Sequence, residues 1–138
     1  MATADPLLTG ITELIVSNTG ITSQLPTYDS APAVFSGLVP ENAEYPYIVV
    51  SGQMGSDPWD TKTELGSDET LDVYTYGENL TLVEDVARKI STLLHKTTSL
   101  SVTGYSVTLV MASGPIAVPT SEKVYGRMVT VQVKMQKV

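Results

Sequence analysis

Apolar residues recur at helical spacing in two stretches of the chain and at alternate positions in several others. Leu7, Leu8, Ile11, Leu14 and Ile15 share one face at a period of about 3.6 residues, which predicts a helix. Asp5 suits the N-cap of that helix and Pro6 its first turn, where no amide hydrogen is needed. Gly10 weakens it, and Asn18-Thr19-Gly20 reads as a left-handed stop. A short further turn can follow over 21–25. Residues 26–44 contain Pro26, Pro32 and Pro40, which predicts an irregular segment. Its apolar residues Val34, Phe35, Leu38 and Val39 suggest that it lies against the core, with Phe35 as an anchor.

Tyr45-Pro46-Tyr47-Ile48-Val49-Val50-Ser51 predicts a strand entered through proline, which a strand start or edge tolerates. Leu71, Val73 and Thr75 alternate with Asp72, Tyr74 and Tyr76 in a second strand. Between the two, residues 52–69 form a long acidic loop or a hairpin extension. The next helix is the firmest. Leu82, Val83, Val86, Ile90, Leu93 and Leu94 line one face, and Ala87 permits close approach to a sheet. Thr81-Leu82-Val83-Glu84 fits a capping box, with Asn79 as a competing cap. Glu84 and Asp85 come first and Arg88, Lys89 and Lys96 last, the order a helix dipole favours. Tyr105, Val107, Leu109 and Met111 then alternate with Ser106, Thr108 and Val110. Gly114-Pro115 predicts a turn, with a short strand over 116–118. Val129, Val131, Val133 and Met135 alternate with Thr130, Gln132, Lys134 and Gln136 in the longest strand. The order predicts an α+β fold: an antiparallel or mixed sheet of four to five strands with two helices packed on one face.

The chain has 138 residues, which suits a single domain over 1–138 with one core. It has no long apolar run and no basic leader at its N-terminus, so neither a membrane span nor a signal peptide is expected. Cysteine is absent, which excludes disulfides and thiolate chemistry. The net charge of −7 is unevenly spread. Residues 1–87 hold 14 acidic side chains and one basic, Lys62, for −13; residues 88–138 hold Glu122 and seven basic side chains, for +6. Either a mixed surface looks segregated when read along the chain, or two surfaces of opposite sign meet in a head-to-tail oligomer. A chain this acidic does not bind nucleic acid through its phosphates.

Chemistry finds little support. His95 is the one histidine and stands at a helix end, where it suits solvent. Gly52-Gln53-Met54-Gly55-Ser56 lacks the Lys and Ser/Thr of a phosphate loop. Asp57, Asp60 and Asp68 do not have calcium-loop spacing. No catalytic residue, cofactor or metal is expected. The tyrosines Tyr45, Tyr47, Tyr74, Tyr76 and Tyr105 are expected in the sheet, filling space beside the helices. Trp59, the one tryptophan, lies in a polar loop. Either that loop folds back and buries it, or it anchors in a neighbour's pocket. Met54, Trp59 and Leu65, with Asp57 and Lys62 among them, are the candidate interface residues.

Val34-Phe35-Ser36-Gly37-Leu38-Val39-Pro40-Glu41-Asn42-Ala43-Glu44-Tyr45-Pro46-Tyr47-Ile48-Val49-Val50 has a familiar pattern. It resembles the tail completion, or tail terminator, proteins of long-tailed bacteriophages. The family's second strand would be Leu71-Asp72-Val73-Tyr74-Thr75, its helix Val83 to Leu94, and its closing strand Tyr125 to Lys137. The likeness follows most of the chain in order and spacing, with no catalytic signature. It implies a virion subunit, assembled in the host cytoplasm, that forms a hexameric ring at the head-proximal end of the tail tube. The partners it implies are further copies of the chain, the tube protein and the head–tail connector. Genomic DNA would pass through the lumen without specific binding. The alternatives are another neck or tail component, such as a head–tail joining protein or a tube subunit, and a small cytoplasmic ligand-binding domain.

Overall fold

The computed structural model describes residues 4–36, 39–52, 66–120 and 123–137. Helix α1 (Ala4–Val16) and a one-turn helix α2 (Thr19–Thr22) open the chain. Strands β1 (Thr27–Tyr28), β2 (Ala31–Pro32), β3 (Val34–Ser36), β4 (Tyr47–Gly52) and β5 (Gly66–Gly77) follow. Helix α3 (Leu80–Leu94) leads to the two long strands β6 (Tyr105–Ala117) and β7 (Tyr125–Lys137). Strands β1 and β2 form a small hairpin; the other five form one sheet in the order β3-β4-β5-β7-β6. Only the β3–β4 pair is parallel. The α+β expectation holds, with a mixed sheet of five strands and helices on one face.

The alternation of the strands decides the two faces of the sheet. Ile48, Val50, Leu71, Val73, Val129, Val131 and Val133 point to the helices and are buried with Ile11, Ile15, Val86, Ile90 and Leu94. Helix α1 lies over β3 and β4, and α3 over β5, β7 and β6. Each fully buried Ile or Leu contributes about 1.5–3 kcal/mol by leaving water. Gly10 is needed at its place. A Cβ there would stand 2.4 Å from the carbonyl oxygen of Ser101, so α1 can cross this backbone only as glycine. Asn18 does not stop α1 in a left-handed conformation. It is extended (φ −90°) and caps α2, its side chain accepting from the amide of Ile21.

Several sequence expectations are corrected. The segment over 26–44 is not wholly irregular: Asp29 and Ser30, at φ 55° and 69°, make a tight turn between β1 and β2. Residues with positive φ at both central positions give the turn that suits a two-residue hairpin. Pro32 fits because its hairpin has a free edge. Of the segment expected over 52–69 as a long loop or a hairpin extension, Gly66–Glu69 pair with Gln136–Val133 of β7, and residues 53–65 lie outside the described residues. Asn79, not Thr81, caps α3, accepting from the amide of Leu82 at 3.2 Å. The helix therefore starts earlier, and its first and last turns carry no complementary charge. Its charges act sideways instead. Gly114-Pro115 does not turn the chain, since β6 continues through it as a bulge.

Thr75 faces the core, fully buried, and its hydroxyl has no hydrogen-bond partner among the described residues. Replacing a buried hydroxyl that makes no bond removes a desolvation penalty. Thr75→Val is expected to stabilise the fold by about 1 kcal/mol in denaturant titration. Gly10→Ala is expected to destabilise it by about 2 kcal/mol, because the Ser101 backbone must move.

Candidate assembly surfaces

Two bulges in β6 re-aim its side chains. Tyr105 and Val107 pack on the core, as the alternation predicts. Then Thr108 has no partner in the register, which steps from Val107↔Met135 to Leu109↔Lys134. The Thr108 hydroxyl donates instead to the carbonyl of Lys134, at 2.9 Å. From here the faces exchange. Val110 is buried, while Leu109 and Met111, expected on the same face as Val107, turn to the outer face. At the second bulge Gly114 and Pro115 stand against Val129, and Ile116 emerges on the outer face. Gly114 has φ +111°, and a Cβ there would meet the Met128 carbonyl at 2.8 Å. Leu109 (40% exposed), Met111 (38%) and Ile116 (53%) thus form an apolar strip along one margin of the sheet. Beside it, Thr70, Met111, Ser113, Thr130 and Gln132 line a shallow depression of about 430 Å³.

The opposite half of the same face is aromatic. Tyr47 stands across from Tyr76, and Phe35 beside Val49. The Tyr45 and Tyr47 rings stack at 5.2 Å, and those of Tyr74 and Tyr76 at 5.9 Å; Phe35 meets Tyr28 and Tyr47 edge-on. The strand tyrosines 47, 74 and 76 therefore do not fill space beside the helices. They cover the reverse of the sheet, because each stands one residue out of phase with the core positions. Tyr105 alone packs on the helix side. Phe35 is half-buried in this aromatic row and does not anchor the main core. Asp72 lies among these residues, buried, accepting from the hydroxyls of Thr130 (3.0 Å) and Tyr74 (3.5 Å). Burial raises the phenols of Tyr47, Tyr74 and Tyr76 above their ordinary pKa, helped at Tyr47 by Tyr45 and at Tyr74 by the Asp72 carboxylate.

The end of α3 seals the outer edge of β6. The amide of Lys96 donates to the carbonyl of Val110 at 2.7 Å, and the amide of Ala112 donates to Nδ1 of His95 at 3.1 Å. His95 is thus exposed but engaged, a cap on a sheet edge. Charged residues tie the helices together. Lys89 bridges Asp85 (3.1 Å), Gln24 (3.0 Å) and the Gly20 carbonyl (3.3 Å), joining α3 to α2. Hydrogen bonds from Gln24 and then Lys89 hold the Asp85 carboxyl below the ordinary range. Glu84 pairs with Arg127 of β7 and, at 3.9 Å, with Arg88.

Among the described residues no three His, Asp or Glu side chains gather as metal ligands. The depressions at α3 are open to solvent, and the one at its N-terminal end is lined by Asn79, Thr81, Glu84, Asp85 and Arg88 among others. The interface candidates Met54, Asp57, Trp59, Lys62 and Leu65, and the carboxylate Asp60, lie outside the described residues. The surfaces found here are different ones. The bulges that expose Leu109 and Met111 have no clear sequence signal beyond Gly114-Pro115.

No protein-family model matches the chain, and no curated protein matches it. Solved structures do. A chain in the virion of a native gene transfer agent particle superposes with a TM-score of 0.79 at 12% identity, covering 98% of each chain. The gp17 protein of bacteriophage SPP1 superposes with a TM-score of 0.55 at 16% identity, covering 100% of this chain and 93% of that one. This protein shares its fold with both. The likeness runs end to end.

The raised phenols give a pH dependence with a definite sign. A raised folded pKa favours the neutral form, so this contribution to stability is complete below about pH 10, the ordinary tyrosine value. It is lost as pH rises from there through the folded pKa. The melting temperature is expected to fall in that alkaline range, and Tyr74→Phe is expected to lessen the fall. An unchanged alkaline slope in that variant would show that Tyr74 is not one of the groups responsible.

Proposed function

We propose that this protein is a structural subunit of a phage-type virion, a tail completion or tail terminator protein. It forms a closed ring that caps the tail tube and joins it to the head connector. The observation that carries this reading is the end-to-end likeness to a chain of a gene transfer agent virion. The likeness to SPP1 gp17 supports it. The pattern over 34–50, which resembles tail terminators, supports the finer assignment and the hexameric ring. The fold suits the role. Helices cover one face of the sheet and leave the other, with its aromatic and apolar margins, for contact with neighbours. A net charge of −7 suits a passage for DNA, since it repels phosphate and lets the duplex slide.

Particles assembled without this protein test the reading. Heads and tails are expected to separate, or tails to grow to irregular length, and labelled protein is expected only at the head-proximal tail end. Ordinary tailed particles made in its absence, or label along the whole tube, would contradict the terminator role.

A further inference from the structure

The two margins of the outer sheet face differ in charge as well as in shape. On the β3 side, Asp29 in the hairpin turn and Glu41 and Glu44 in the connection to β4 are exposed. No Lys or Arg precedes Arg88 among the described residues. Tyr45, 39% exposed, stands next to Glu44 and is held by its stack on Tyr47. The β6 side is the converse. Lys134 of β7 lies opposite Leu109, and Lys96 sits where α3 meets the β6 edge. Both lysines are exposed, and Lys134 stands beside Leu109 of the apolar strip that also holds Met111 and Ile116. Arg127 and Arg88 are engaged within the subunit by Glu84, and Lys89 by Asp85.

Resting on the function proposed above, we infer that the occupant of the β6 margin is a second copy of this chain, presenting its β3 margin. Glu41 and Glu44 of one copy meet Lys96 and Lys134 of the next, and Tyr45 lies against the Met111–Ile116 strip. The two patches are of opposite sign and lie at opposite edges of one sheet. A heterologous contact between different patches repeats from copy to copy and closes into a ring when its rotation permits. Strand addition is not the mode, because the amide of Ala112 and the carbonyl of Val110 at the β6 edge are already engaged by His95 and Lys96. The contact is therefore made by side chains. The apolar strip supplies the desolvated centre, and the charges select orientation and partner.

The test uses paired charge reversals, read by native mass spectrometry and light scattering of the full chain. One variant carries Glu41→Lys and Glu44→Lys; the other carries Lys96→Glu and Lys134→Glu. Each alone is expected to weaken assembly on the order of tenfold or more, with its melting temperature unchanged, because like charges now face each other. Mixed in equal amounts they are expected to assemble again, alternating around the ring, since each reversed patch then meets its reversed complement. Met111→Ser with Ile116→Ser is expected to weaken assembly without altering its salt dependence. A wild-type chain that stays monomeric, variants that assemble as well as wild type, or a mixture that stays apart would each overturn the interface. A ring that persists in both variants removes this interface and leaves the tail-end role standing. A ring that responds as expected but is absent from tail ends removes the role and leaves the interface.

Discussion

The constraint on which the rest of this structure depends is the packing of two helices against only one face of a five-stranded sheet. Ile11, Ile15, Val86, Ile90 and Leu94 bury the inner face, and the alternation of β4, β5 and β7 follows from that burial. A register slip of one residue would expose the whole valine row, so the strands are fixed strongly. The same alternation sends Tyr47, Tyr74 and Tyr76 to the reverse of the sheet, where no helix lies. The outer face is thus a consequence of how the core is covered. Its aromatic row holds together through ring contacts and the Asp72 hydrogen bonds.

Bulges then make the two margins of that face unlike. Without the irregularity at Thr108, Leu109 and Met111 would follow Val107 toward the core, and Val110 would be exposed. An extra residue re-aims everything that follows it, until a second bulge at Gly114-Pro115 intervenes. A sheet face with an acidic, aromatic margin and a basic, aliphatic one is suited to meeting its own kind edge by edge. Exposed ion pairs each contribute little, about 0–1 kcal/mol, so such a contact needs the apolar strip as well.

Much of the fold was legible in the sequence because periodicity reports burial. The faces of α1 and α3, the alternation of β7 and the strand entered through Pro46 all follow from it. What periodicity could not show has particular causes. β1, β2 and β3 are two or three residues long, too short to display a period, and prolines punctuate them. Asn79 capped α3 ahead of a well-formed capping box because both signals fit, and only tertiary packing chooses between them. The outer-face position of the tyrosines needed the phase of the strands relative to the helices. The apolar strip on β6 was hidden because a bulge breaks the alternation by which a strand is read. The interface residues read from the loop, Met54, Asp57, Trp59, Lys62 and Leu65, lie outside the described residues.

We propose that this subunit works by joining copies of itself at a tail end, and the head–tail junction is where that is most directly seen. Electron cryomicroscopy of intact particles should place this fold in symmetry-related copies between the tail tube and the head connector, with the sheet of each copy meeting that of the next. A closed ring of six is expected. Finding the fold elsewhere in the particle, or as a single copy at the junction, would contradict it.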